Sequence, residues 1–147
     1  MTRVTRAYDV PRDQAWRVVS DPRTYPTWLM GCRRIRAVDV DWPSPGARFH
    51  HEIGLTPLLV RDSTAVTVSK EPSVLQLLIR FRPWGVGRVA FTLAGDNPTQ
   101  VTLDERIFDG WIGHISDVLL APLIVARNWW SLRRLAATLE GDGGAPR

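Results

Sequence analysis

The spacing of apolar positions along this chain changes period twice, dividing it into three parts. Thr2 to Val10 reads as a strand, with Val4, Tyr8 and Val10 on one face. Pro11 then opens a helix at a position where its missing N–H costs nothing, and Asp13 suits the first turn. Ala15, Trp16, Val18 and Val19 form its apolar side before Asp21-Pro22 stops it, and residues 24–29 predict a second short helix or turn. From Arg34 onward the period is two. Strands are predicted at 34–42, 48–55, 58–70, 74–82, 86–94 and 100–108, separated by Pro-, Gly- and Asn-containing turns. Short connections between six such runs predict an antiparallel meander. After Asp109-Gly110 the helical period returns over 113–139, with Pro122 kinking the helix because apolar spacing resumes beyond it.

These elements predict an α+β domain over residues 1–140. A seven-stranded antiparallel sheet, with two short helices after its first strand, wraps a long C-terminal helix, and 141–147 form a disordered tail. Alternation assigns inward faces: Phe49, His51, Ile53 and Leu55; Val60, Asp62, Thr64, Val66 and Val68; Leu75, Leu77, Ile79 and Phe81; Val89, Phe91 and Leu93; Val101, Leu103, Glu105 and Ile107. Three of these are ionisable. His51, Asp62 and Glu105 would each cost several kcal/mol in a dry core without a partner. They therefore imply either ion pairing with one another or with an arginine such as Arg6, or a space that a ligand fills. On the long helix, Val125, Trp129, Leu132, Ala136 and Leu139 form the expected buried stripe, with Asn128 and Leu135 at its edge and Arg127 and Arg134 opposite. From Val118 to Ala126 the helix is apolar all round. One sheet cannot cover that circumference, so a homodimer, a neighbouring loop or a lipid surface is expected there.

Composition narrows the function classes. The 147 residues carry a net charge of +4, yet the arginines are scattered among aspartates, so no nucleic-acid partner is expected. The longest apolar run is far below the roughly 20 residues of a transmembrane helix. A single Cys32 and a charged N-terminus fit a cytoplasmic protein without a disulfide. His50 and His51 are adjacent on a strand and point to opposite faces, so no metal site is expected. Gly85-Val86-Gly87 lacks the helix and third glycine of a dinucleotide loop and reads as turn punctuation, so no cofactor is expected. Seven tryptophans are a heavy load: Trp16 and Trp129 fall on packing faces, while Trp28, Trp84 and Trp111 lie in or beside connections, where a ring can line an entrance.

The opening YDVPRDQAWRVVSDPRTYPTWL, the central GARFHHEIGLTPLLVRDSTAV, and QVTLDERIFDG ahead of RNWWSLRRLAATLE resemble the START and birch-pollen-allergen (SRPBCC) superfamily. They are similar in particular to its bacterial polyketide cyclase/dehydrase-type branch. The resemblance spans residues 2–140 and implies a helix-grip cavity for a lipid, polyketide or related metabolite. It also implies that an enzymatic member would move protons with cavity residues, for which His51, Asp62 and Glu105 are the candidates here. The leading expectation is a carrier or sensor of a hydrophobic small molecule, in a cavity of roughly 300 Å³ or more. Its lining candidates are Trp28, Phe49, His51, Asp62, Ile79, Phe91, Glu105, Trp111, Val125 and Trp129. The alternatives are an acid/base cyclase or dehydratase, and a protein- or membrane-interaction module acting through the helix around Pro122.

Overall fold

A computed structural model describes residues 2–55, 57–115 and 117–143, so the last four residues of the expected tail lie outside the described part. The chain runs β1 (Thr2–Tyr8), α1 (Arg12–Val19), a 3-10 turn (Pro22–Thr24), α2 (Tyr25–Trp28), β2 (Cys32–Val38), β3 (Arg48–Leu55) and β4 (Leu58–Lys70). It continues with β5 (Val74–Phe81), β6 (Gly85–Ala94), β7 (Thr99–Asp109), α3 (Gly110–Gly113) and α4 (Asp117–Gly143). The strands form one antiparallel sheet in the order β1-β7-β6-β5-β4-β3-β2, so the first strand pairs with the last and the rest is a meander. This is the helix-grip arrangement, with α1, α2 and α4 on the concave face.

Register sorts the side chains. His51 lies opposite Asp62, Phe49 opposite Thr64, Thr64 opposite Ile79, and Val89 opposite Glu105, which places all seven on the inner face as alternation predicts. Val68 departs from that expectation. The pairing slips between Val66 and Val68, so Val66 faces Leu77 but Val68 faces the outward Gln76. A bulge puts one extra residue into β4 and exchanges the faces beyond it, which a strict period of two cannot represent. Gly85 and Gly87 are also corrected: they belong to β6 rather than to a turn. β2 begins at Cys32, and Trp42, expected to end that strand, lies in the following loop and donates from Nε1 to the Ser20 carbonyl at 2.7 Å.

The long helix is rotated from its expected setting. Its buried line is Asn128, Ser131, Leu132, Leu135 and Leu139, whereas Val125 and Trp129 are exposed by 41% and 46%. Two polar residues turn inward because each has work there. Asn128 donates to Glu105 at 3.0 Å, and Ser131 accepts from the Met30 N–H at 3.0 Å while donating to the Arg127 carbonyl at 2.9 Å. Tyr8 donates its hydroxyl to the Leu132 carbonyl, fastening β1 to the helix. The helix starts at Asp117, after a separate turn α3, and continues to Gly143, into the expected tail. At the first residue of α3, Gly110 has φ +83° and a side chain there would meet the Gly85 backbone at 2.4 Å, so only glycine fits.

The rotation has an energetic signature. Leu135→Ala is expected to cost about 2–5 kcal/mol, as for other buried leucines. Trp129→Ala should stay within about 1 kcal/mol. Urea denaturation of the two variants measures both.

Candidate functional site

Half of the concave interior is solid. Tyr25 and Trp28 pack edge to face at 5.5 Å, Tyr25 meets Phe49 at 5.6 Å, Trp42 meets Phe49 at 5.1 Å, and Trp28 meets Phe91 at 5.9 Å. Such ring pairs are worth about 0.5–1.5 kcal/mol each beyond their buried area. The aromatic plug forms because α2 delivers Tyr25 and Trp28 onto β3 and β6. Trp28, Phe49 and Phe91, expected around a ligand, are therefore packed in this plug.

The other half is hollow. A cavity of about 270 Å³ is bounded by Leu29, Met30 and Cys32, by Ile53, Ile79, Phe81, Val89, Leu103 and Ile107 from the sheet, and by Ile112 and Arg127 from the helices. It falls a little short of the expected volume. Gly87 contributes to its floor between Ile79 and Ile107, where a Cβ would come within 3.1 Å of the Arg106 carbonyl oxygen. Of the ten expected lining residues, Ile79 and Glu105 border this cavity. Trp111 stands 74% exposed on α3, and Val125 and Trp129 look away on the outer side of α4.

Glu105 supplies the polar feature of the wall. Its Oε2 accepts from Arg127 Nη2 in a close ion pair and from Asn128 Nδ2 at 3.0 Å, while Arg127 also donates from Nη2 to Asn128 Oδ1 at 3.0 Å. Arg127, expected on the outward side of the helix, thus borders the cavity, and among the described residues its Nη1 makes no hydrogen bond. Asp62 is committed elsewhere. Its carboxylate takes Arg82 Nε and Nη2 in a fork at 3.0 Å each, the Arg82 N–H at 3.0 Å and the Ser63 N–H at 2.8 Å. Burial works against its charge, but the hydrogen bonds from Arg82 and Ser63 outweigh it and hold the pKa down to about 2. Its four acceptor positions are filled, so it is a strut between β4 and the end of β5.

His51 is the reverse case. It is 1% exposed, edge to face with Phe49 at 5.7 Å, two residues from the cavity-lining Ile53, and neither ring nitrogen has a hydrogen-bond partner among the described residues. The hydroxyl of Thr64, also on the inner face, is equally unpartnered. Burial lowers the His51 pKa to about 4, against smaller opposing effects of the Ser63 backbone and Asp62, so the ring is neutral near pH 7. The Cys32 thiol, at the cavity edge, is pushed up by burial to about 11 and stays protonated. Among the described residues no group of three potential ligands could hold a metal ion. Sequence reasoning missed Arg127, Gly87 and Cys32. Two glycines close together in an alternating run were the available signal for Gly87, while nothing local distinguished Arg127 from the other arginines.

The sequence matches the family model described as polyketide cyclase / dehydrase and lipid transport across residues 1–140. No curated protein matches it. Protein CV1439 from Chromobacterium violaceum has a similar structure, with a TM-score of 0.73 and 17% identity over 94% of this chain and 95% of that one. CalU16 from Micromonospora echinospora has a TM-score of 0.64 and 17% identity over 93% of this chain and 74% of its own. DynU16, a protein of the dynemicin biosynthetic locus, has a TM-score of 0.68 and 21% identity over 95% of this chain, which spans 46% of DynU16.

The neutral burial of His51 makes stability depend on pH. The unfolded chain takes up that proton near pH 6.5, the folded one only near pH 4, so stability is complete above the first value and falls as pH drops toward the second. The loss through that window is expected to reach up to about 3 kcal/mol. His51→Gln should remove it, as chemical denaturation at stepped pH will measure.

Proposed function

The chain belongs to the polyketide cyclase / dehydrase and lipid transport family, and on that premise we propose that it is a non-covalent binding protein for a small hydrophobic metabolite. The observation that carries this reading is the cavity of about 270 Å³, aliphatic on nearly every side, with one ion pair in its wall. That volume sits at the lower end of ordinary ligand sites, which run from about 300 to 1,000 Å³, and suits a small ligand of about ten heavy atoms. That is a short acyl chain or a single substituted ring, and it is too small for a two-chain lipid. Burying such a body releases it from water at about 25 cal/mol per Å² of apolar surface. Arg127 Nη1 then offers a donor to one oxygen of the ligand. Because Glu105 already balances the guanidinium charge, a neutral acceptor such as a ketone or ester fits better than a second carboxylate.

The acid/base enzyme remains the second reading, and the observation in its favour is the neutral His51 with both nitrogens unpartnered. Against it, among the described residues His51 makes no hydrogen bond to a carboxylate, Asp62 is saturated by Arg82 and the Ser63 N–H, and Glu105 is held by Arg127. A carrier or sensor is the better account.

Calorimetric titration with methyl heptyl ketone, a probe of the right size, tests it. The protein is expected to bind one equivalent, and the cavity-filling pair Ile79→Trp and Val89→Phe should weaken binding at least about tenfold, or 1.4 kcal/mol. Replacing Glu105 and Arg127 together by methionine should erase any preference for the ketone over the alkane of equal length, about 0.5–1.5 kcal/mol. Equal binding by the cavity-filled protein would refute the site.

A further inference from the structure

From Leu119 to Trp130, the side of α4 turned away from the sheet is apolar and uncovered. Leu119 and Leu123 are each 69% exposed, and Val125, Trp129 and Trp130 are exposed with them. At 100° per residue these five positions fall within about 160° of arc, with Pro122 and Ala126 between them. The result is one continuous stripe about 18 Å long. At its C-terminal end Trp129 and Trp130 meet edge to face at 5.3 Å, and the Arg133 guanidinium lies over both rings at 5.5 and 5.3 Å. The charge beside the tryptophans is positive: Arg133 and Arg134 follow them closely, while Arg127 is already paired with Glu105.

We propose that this face of α4 docks onto an anionic lipid bilayer, with the helix lying flat at the headgroup level. Each component suits that boundary. Indole rings prefer the zone between water and hydrocarbon, arginine buries its stem while its head stays with phosphate, and the leucines enter the acyl layer. No helix among the described residues is long and apolar enough to cross a membrane, so the contact is superficial. The make-up of the stripe selects the lipid over a second copy of this chain: a bilayer offers phosphate beside the very rings that Arg133 covers, together with an acyl layer for the leucines. The docked orientation also has a use. Arg127, on the shoulder of the same helix, borders the cavity, as does Ile112 beside the exposed Trp111. Docking would hold the cavity, on the opposite side of α4, one helix diameter (~10 Å) from the phase in which apolar metabolites dissolve.

The test is co-sedimentation of the full chain with vesicles of phosphatidylcholine alone and of phosphatidylcholine mixed with phosphatidylglycerol. Binding is expected to the mixed vesicles only, and to vanish at about 1 M salt, where the screening length falls to about 3 Å. Leu123→Ser with Trp129→Ser and Trp130→Ser should weaken it about tenfold or more, and Arg133→Glu with Arg134→Glu by a similar factor. Brominated acyl chains should quench the tryptophan emission of the parent protein and not that of the tryptophan variant. None of these residues lines the cavity, so the variants should keep their methyl heptyl ketone affinity and melting temperature. Failure to sediment with the anionic vesicles would overturn the proposal, as would undiminished binding by either variant. A dimer seen by light scattering that the tryptophan variant dissolves, without vesicle binding, would instead assign the stripe to self-association and overturn it too.

Discussion

A curved sheet of seven strands has a wider concave face than one helix can cover, and the surplus must be filled, wetted or left empty. Here two neighbouring solutions are used. Toward α1 and α2 the face is closed by the interlocked rings of Tyr25, Trp28, Trp42, Phe49 and Phe91. Toward α3 the side chains shorten to Val89, Ile79, Ile107 and Gly87, and a cavity remains. A space of about 270 Å³ lacks the side-chain contacts that a filled core would make there. The aromatic half gives the domain a rigid wall against which that loss is tolerated. A ligand that fills the hollow would return the missing contacts.

The same division governs the ionisable residues of the inner face. Asp62 lies in the first half of β4 and is tied by a fork to Arg82, so its charge is compensated at the surface. Glu105 lies in the cavity wall, where Arg127 and Asn128 from α4 meet it and join helix to sheet. His51 sits on the inner face without a hydrogen-bond partner among the described residues, and burial keeps it neutral. Three residues that look equivalent in the sequence thus do three different things, and the difference lies in what the rest of the fold brings to each. On the proposed reading the Glu105 cluster would give the cavity a direction, because an apolar wall alone cannot distinguish the two ends of a ligand.

Much of the fold was legible because period-two alternation is a local property. Strands β3 to β7 and the inward positions of His51, Asp62 and Glu105 followed from it, the helices followed from proline placement and the helical period, and the helix-grip arrangement followed from the family resemblance. Errors arose where one distant contact overrode a local pattern. The bulge in β4 turned Val68 outward. The hydrogen bonds of Asn128 and Ser131 drew a polar line of α4 inward and left Trp129 and Val125 outside, although hydrophobicity alone favoured the opposite setting. The site was less legible than the fold for a related reason. A cavity is the absence of side chains from several strands at once, and Gly87 beside Val89 carries no sign of it until Ile53, Ile79 and Ile112 are placed around them. Arginine 127 had to be rotated with its helix before it could meet Glu105.

The distribution of isoleucines allows the central claim, that the hollow half receives the ligand, to be measured directly. Of the seven in the chain, Ile53, Ile79, Ile107 and Ile112 line the cavity, whereas Ile35, Ile115 and Ile124 do not. A methyl-labelled isoleucine spectrum recorded during titration with methyl heptyl ketone reports on each separately. Occupation of the cavity predicts saturable shifts at Ile53, Ile79, Ile107 and Ile112, with Ile35 and Ile115 holding still. Shifts confined to Ile115 and Ile124, or none at saturating ketone, would mean that the hollow is not a binding site.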